Sequence, residues 1–196
     1  MRKRIGNICI IVGVVCLIAA VGLVAYNRWE ADRAAESAQS ILVEVQSMIG
    51  TPNATPPPID LPDTPAEMAT VSVDGFACIG VLSVPVLELE LPVLTDWSYA
   101  KLKKAPCLYY GTCYEKDFVI AAHNYPSHFG RLSELQSGDV VVFTDVTGTT
   151  HRYEIVLLET LPAAATQEMI TAGFDLSLYT CTTGGGSRVT VRCNAV

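Results

Sequence analysis

The stretch Ser177-Leu178-Tyr179-Thr180-Cys181-Thr182-Thr183-Gly184-Gly185-Gly186-Ser187-Arg188-Val189-Thr190-Val191-Arg192 holds two β-rich runs around a glycine-rich turn. This pattern predicts antiparallel strands over 176–181 and 188–193, joined by residues 182–187. The pairing sets Cys181 directly opposite Arg188, with their Cβ atoms about 5 Å apart on one face. A guanidinium beside a thiol favours the thiolate, and it can also stabilise an oxyanion. The stretch therefore predicts a thiol nucleophile as well as a strand pair.

Arg192 is the competing arginine, because strand alternation places it on the same face as Arg188. We expect it opposite Tyr179 and further from the turn, which makes it the poorer partner for Cys181. Cys193 faces the other way. Arg188 is thus the predicted partner of the thiol.

A thiol that cleaves an amide also needs a proton carrier, and the chain has three histidines. His123 directly follows the apolar run 118–122, at the rim of a predicted buried strand. His128 lies in the following loop, and His151 begins a strand beside Arg152, where we expect it to be exposed. His123 is the first candidate, although spacing alone does not bring it near Cys181. A cysteine or histidine standing alone at a strand end is more often structural.

Short β-rich runs dominate the chain from about residue 71 to its end. Seven or eight short strands in such a length predict a mostly β fold, either a closed barrel or a sandwich. Strands are predicted at 78–84, 86–93, 118–122, 140–143, 153–158, 176–181 and 188–193, and short helices at 98–103, 131–135 and 167–171.

The first 70 residues are of a different kind. Residues 5–26 carry no charge and follow three basic residues at 2–4. This predicts an uncleaved, single-pass membrane anchor with a cytoplasmic N-terminus and an exterior remainder. A cleaved signal peptide and a buried core helix are the alternatives. We therefore divide the chain into a cytoplasmic tip and anchor (1–27), a membrane-proximal helix and proline-rich spacer (28–70) and a catalytic domain (71–196). The helix is predicted over 29–49, ending at Gly50, and the spacer over 50–65.

Charge and cysteine content exclude several functions. The formal charge is −7, and the residues beyond the anchor hold 10 basic against 20 acidic side chains, which argues against nucleic acid as a partner. Of the seven cysteines, five lie outside the anchor, so at least one thiol there is unpaired. A disulfide between Cys107 and Cys113 stays open. No spacing matches a zinc pattern, and we predict no metal and no cofactor.

Three segments resemble the sortases. Ser177-Leu178-Tyr179-Thr180-Cys181 is similar to their Thr-Leu-x-Thr-Cys signature, with serine in the first position. The strand 188–192 resembles the one that carries the sortase arginine, and Val119-Ile120-Ala121-Ala122-His123-Asn124 resembles the one that ends in the sortase histidine. The resemblance covers about residues 75–194, in the family's order and behind the expected anchor.

This resemblance implies a sortase-like closed β-barrel with short helices, in a membrane-anchored cysteine transpeptidase of a Gram-positive cell. The implied substrates are surface proteins with a C-terminal sorting signal similar to Leu-Pro-x-Thr-Gly. Cys181 would form a thioester with the threonine, His123 would carry the proton, Arg188 would hold the oxyanion and Thr180 would contact substrate. The implied acceptor is an amine of a peptidoglycan precursor or a pilin lysine.

The subclass and two other functions stay open. The linker has no Asp-Pro-aromatic motif, so a pilin-type lid is not indicated, and about fifteen residues between strands near 159 and 176 leave little room for the long helix of class B enzymes. The same residues also fit a non-catalytic surface module that binds a wall or pilin partner. A thiol peptidase that releases its product to water is the third reading.

Overall fold

The structure, a computed structural model, describes residues 2–50 and 67–196. The predicted proline-rich spacer lies outside these residues, apart from Gly50. The helices are α1 Arg2–Met48, α2 Tyr99–Leu102 and α3 Thr166–Ile170. The strands are β1 Val71–Val73, β2 Phe76–Val84, β3 Leu89–Leu94, β4 Cys107–Tyr110, β5 Phe118–Ala121, β6 Val140–Asp145, β7 Thr150–Pro162, β8 Leu176–Cys181 and β9 Ser187–Ala195.

Strands β2 to β9 form a closed barrel. Their order around the ring is β2-β3-β4-β5-β8-β9-β7-β6, and β6 pairs with β2 to close it. β1 pairs only with β2 and extends the sheet as a ninth strand. Two neighbouring pairs, β3 with β4 and β5 with β8, run parallel, and the other pairs are antiparallel. The predicted closed barrel of seven or eight strands with short helices is confirmed.

The predicted strand over 86–93 starts later than expected. Pro85 begins a single 3-10 turn, Pro85–Leu87, and Glu88 then adopts a left-handed backbone with φ +52°. Proline fixes its own φ near −65°, which suits a turn better than a ladder. The alternation of leucine and glutamate therefore becomes a strand only from Leu89 onward. The short strands β1 and β4 were not predicted.

Alternating side chains divide the apolar core between the two faces of the sheet. The larger cluster fills the barrel and includes Phe118 and Ile120 of β5, each fully buried. The smaller cluster lies on the outer face and includes Ala121 of β5, with Ile41 and Leu42 of α1. The barrel is thus covered on part of its outside by a helix.

The chain divides into two compact units between Arg33 and Ala34. In the first unit, residues 10–29 are exposed, and the most apolar 18-residue window of α1 has a mean hydropathy of 2.5. By length and composition this helix is a candidate membrane span. In the second unit, the end of α1 buries one helical stripe against the barrel, and Gly50 with φ +71° follows the helix. The buried stripe is Ala34, Ala38, Ile41, Leu42 and Val45.

The sequence left a disulfide between Cys107 and Cys113 undecided. The structure has no such bond, and both residues are free thiols. Cys107 belongs to the outer cluster, whereas Cys113 belongs to the cluster inside the barrel. The two side chains therefore lie on different sides of the wall.

Replacing Leu42 tests the packing of α1. Leu42→Ala is expected to lower the free energy of unfolding by about 2–5 kcal/mol, because it leaves a cavity in the outer cluster. Val43 is its matched control, since it is 59% exposed on the same helix turn, and Val43→Ala is expected to change that free energy by less than about 0.5 kcal/mol. Urea unfolding of the full chain in detergent measures both. Equal losses in the two variants would contradict this packing.

Candidate active site

The predicted pairing of Cys181 with Arg188 is confirmed, because β8 and β9 are antiparallel neighbours in that register. Cys181 ends β8, and Arg188 follows the first residue of β9. The expected position of Arg192 is wrong: it pairs with Ser177, and Thr190 pairs with Tyr179. In an antiparallel pair, moving four residues along one strand moves four residues along the other. Arg192 is four residues beyond Arg188, so its partner Ser177 is four residues before Cys181.

His123 reaches the site through the parallel pairing of β5 with β8. The recorded register runs from Phe118 opposite Leu176 to Ala121 opposite Tyr179. Continued by two residues, it sets His123 opposite Cys181. Neighbouring strands are about 4.8 Å apart, so the backbones that carry the imidazole and the thiol lie side by side at the ends of β5 and β8. This adjacency supplies the proximity that sequence spacing could not.

Thr180 holds these two strand ends together. Its hydroxyl donates to the Ala122 carbonyl at 2.9 Å, and the Ala122 amide donates to the Tyr179 carbonyl at 3.2 Å. The residue is 3% exposed. In the free protein Thr180 therefore positions the backbone just before His123, and its contact with substrate stays a prediction.

One cavity of about 140 Å³ brings the three candidate residues together, since His123, Cys181 and Arg188 all line it. Four aromatic rings form much of its wall. Tyr109 packs edge-on against Tyr179 at 5.2 Å and lies 5.7 Å from Trp97, which contacts Tyr99. The cavity therefore places a thiol, an imidazole and a guanidinium beside an aromatic surface.

The two arginines of β9 have different environments. Nη1 of Arg188 donates to the carbonyls of Gly185 and Ser187, both at 3.0 Å, while Nε and Nη2 make no hydrogen bond within the described residues. Arg192 is 1% exposed, and its guanidinium bonds Glu159, Ser177 and the carbonyls of Glu168 and Met169. Arg188 thus has hydrogen-bond donors available for a ligand, whereas the donors of Arg192 stabilise the fold.

Neither of the other two histidines lines this cavity. His128 is fully buried, and burial, followed by the charge of His123, lowers its pKa to about 4. At neutral pH it is therefore uncharged. His151 lines a different cavity, of about 460 Å³, together with Cys113, and it is only 19% exposed rather than exposed as expected.

Cys181 differs from the other thiols of the barrel. It is partly exposed, whereas four other cysteines are buried. Burial raises the pKa of each of these four to about 12, which keeps them protonated and poor nucleophiles at neutral pH. They are Cys78, Cys107, Cys113 and Cys193. Cys113, which lines the second cavity together with His151, therefore lacks a ready thiolate for nucleophilic attack.

The chain is similar to sortases in sequence and in fold. A family model described as a sortase domain matches residues 82–196. No curated protein matches the chain. Among solved structures, sortase C-3 from Streptococcus pneumoniae is 19% identical, with a TM-score of 0.57 over 86% of this chain and 84% of that one. Sortase A from Corynebacterium diphtheriae is 20% identical, with a TM-score of 0.56 over 85% and 84%. Sortase C1 from Streptococcus agalactiae is 23% identical, with a TM-score of 0.56 over 64% and 70%. These structures share the fold of this chain.

Thiol labelling is expected to separate Cys181 from the buried cysteines. In the folded protein at about pH 8, iodoacetamide should label Cys181 before the four buried cysteines, because thiols whose pKa is raised to about 12 stay protonated there. Raising the pH should not make the buried thiols reactive until the pH approaches about 12. Peptide mapping by mass spectrometry, with urea-unfolded protein as the control, measures the order. Labelling of Cys113 or Cys193 as fast as Cys181 would contradict it.

Proposed function

The chain belongs to the sortase family, and on that premise we propose that it is a cysteine transpeptidase acting through Cys181, His123 and Arg188. The observation that carries the proposal is the single cavity lined by all three side chains. A thiol, a proton carrier and a fixed cation are the groups that acyl transfer from an amide requires.

The reaction begins with attack of the Cys181 thiolate on the substrate carbonyl. The tetrahedral intermediate collapses when the C–N bond breaks, and the departing amine takes a proton from the His123 imidazolium. A thioester on Cys181 remains. An acceptor amine then attacks the thioester, His123 takes a proton from it, and the new amide leaves the thiol free.

Arg188 stabilises the negative charge on the tetrahedral oxygen. Its Nη1 is held by the turn carbonyls of Gly185 and Ser187. Fixing one edge of the planar guanidinium orients the remaining donors, and arginine stays charged at any physiological pH. The glycine-rich turn therefore fixes the position of the Arg188 charge.

The substrate proposed is a surface protein whose C-terminal sorting signal is similar to Leu-Pro-x-Thr-Gly, cleaved after the threonine. The wall formed by Trp97, Tyr99, Tyr109 and Tyr179 supports an apolar leucine-proline pair ahead of the reacting carbonyl. The acceptor proposed is an amine of a peptidoglycan precursor or a pilin lysine. Neither role involves nucleic acid.

We place the enzyme at the membrane of a Gram-positive cell, anchored once by residues 1–27 with the N-terminus inside. Residues 28–70 then form the membrane-proximal helix and spacer, and residues 71–196 the exterior catalytic domain. Support comes from the exposed apolar residues of α1 and the basic residues at 2–4 that precede them.

Trapping the thioester tests the proposed function. The full chain in detergent is incubated with Leu-Pro-x-Thr-Gly peptides, and intact-mass spectrometry measures an adduct on Cys181. Wild type is expected to gain the mass of the acyl fragment, and Cys181→Ala to gain none. Cys16→Ala is the matched control, since Cys16 is an exposed thiol in the anchor, and it should form the adduct normally.

The same peptides distinguish the other two functions. A peptide that binds without cleavage would favour a non-catalytic surface module. Cleavage whose product ratio ignores added amine would favour a thiol peptidase. Cleavage by Cys181→Ala at the wild-type rate would overturn the assignment of the nucleophile. A peptide with charged residues in place of leucine and proline should form no thioester if the aromatic wall binds that pair.

Arg188→Gln is expected to lower kcat about 100- to 1,000-fold with a small change in KM, because it removes a charge used chiefly in the transition state. Arg152→Gln is the control, since Arg152 is an exposed arginine of β7, and it should leave kcat unchanged. Steady-state peptide cleavage measures both. If Arg188→Gln changed only KM, Arg188 would bind substrate in its ground state rather than stabilise the oxyanion.

A further inference from the structure

A second cluster of reactive side chains lies away from the candidate active site. One sulfur, one carboxylate oxygen and one imidazole nitrogen, from Cys113, Asp145 and His151, all lie within 4.8 Å of one another. They come from the β4–β5 connection, the end of β6 and the start of β7. Sequence spacing could not reveal the group, because its three members come from separate parts of the barrel.

The Asp145 carboxylate is oriented by the turn that follows it. Its Oδ1 accepts hydrogen bonds from the Thr147 amide at 2.9 Å, the Thr147 hydroxyl at 2.6 Å and the Thr149 amide at 3.0 Å. Its Oδ2 instead faces the Tyr114 hydroxyl at 3.4 Å and His151 Nε2 at 3.6 Å. One oxygen thus organises the turn, and the other points into the cluster.

His151 directs a buried and unsatisfied nitrogen into the same space. Its Nε2 is shielded from solvent and has no hydrogen-bond partner within the described residues. The ring is held between Tyr114, at 5.9 Å, and Phe143, at 6.2 Å. A buried nitrogen without a hydrogen bond costs about 1–3 kcal/mol, so this nitrogen is available to a ligand.

This cluster and the candidate active site lie at opposite ends of the β8–β9 ladder. Asp175, just before β8, and Ala195, at the end of β9, line the cavity beside Cys113 and His151. Cys181 and Arg188, at the other ends of these strands, line the candidate active site. No described residue lines both cavities.

The geometry points to a zinc site formed by Cys113 Sγ, Asp145 Oδ2 and His151 Nε2. Thiolate, carboxylate and imidazole are the zinc donors of proteins, and three of them leave a fourth position for water. Neighbouring donors around tetrahedral zinc lie about 3.3–3.8 Å apart. The separation of 3.6 Å between Asp145 and His151 already fits, and the thiol needs a modest side-chain movement.

Two features complete the site. The hydrogen bonds to Oδ1 form the outer shell that orients a metal-binding carboxylate. The cavity of about 460 Å³ gives the ion a path from solvent. On binding, zinc replaces the thiol proton of Cys113, which passes to solvent. The metal would tie the β4–β5 connection to the β6–β7 turn and stabilise the folded barrel.

Calorimetric titration with Zn²⁺ tests the site, using the full chain in detergent after chelator and reductant treatment. Wild type and Cys181→Ala are both expected to bind one zinc per chain. Cys113→Ser and His151→Gln should each weaken binding by more than about 100-fold, because losing a ligand exceeds losing an outer-shell partner. The melting temperature should rise with zinc in wild type and stay constant in His151→Gln.

Three results would overturn the zinc site: no saturable binding by wild type, unchanged affinity in both ligand variants, or loss of binding in Cys181→Ala. Circular dichroism confirms that each variant folds, and Asp145→Asn, which retains an oxygen for the turn, is the reserve variant. If the ligand variants unfold, Co²⁺ decides. A thiolate-to-cobalt absorption band that persists in Cys181→Ala supports the site, and its absence refutes it.

Discussion

Parallel pairing of β5 with β8 is the interaction on which the candidate active site depends. These strands are far apart in the chain, yet their hydrogen-bonded register carries His123 and Cys181 to the same end of the barrel wall. The Thr180 hydroxyl, bonded to the Ala122 carbonyl across 58 positions of sequence, extends the pairing past the last ladder pair. Because the hydroxyl is buried, the bond is protected from competition with water. The proposed placement of His123 beside Cys181 thus depends on a hydrogen bond made by the residue that precedes each of them.

Burial divides two arginines of one strand into two roles. Arg192 is desolvated, which is costly for a guanidinium unless its donors are satisfied. Glu159, Ser177 and two backbone carbonyls satisfy them, so this charge links β9 to the α3 region. Arg188 lies at the rim with only one edge engaged. A charge already bound to a carboxylate gives little to a transition state, so the rim arginine is the one suited to catalysis.

Local features were predictable from the sequence, and long-range neighbours were not. The pairing of Cys181 with Arg188 followed from strand period and a single turn. Helix α2 lies within its predicted segment, and α3 lies one residue earlier than predicted. The β5–β8 contact required knowing which strands are neighbours, so the strand pattern could rank His123 first among the histidines, and only the family resemblance placed it beside Cys181. The predicted register of β8 and β9 was right, but Arg192 was expected opposite Tyr179, two residues too close to the turn, and it pairs with Ser177. The alternation of leucine and glutamate over 86–93 predicted a strand throughout and did not reveal the turn that begins at Pro85.

Strand β7 runs between the two ends of the barrel. It begins beside His151 of the second cluster and ends at Pro162, which pairs with Ser187 and lines the candidate active site. Continuous pairing with β9 holds it along most of this length. Coupling between distant sites requires an element with two arrangements, and a strand fixed in one ladder offers a single one. A metal at the His151 end would therefore act by stabilising the barrel as a whole, and the proposed reaction at Cys181 would depend on it only through the fraction of protein that is folded.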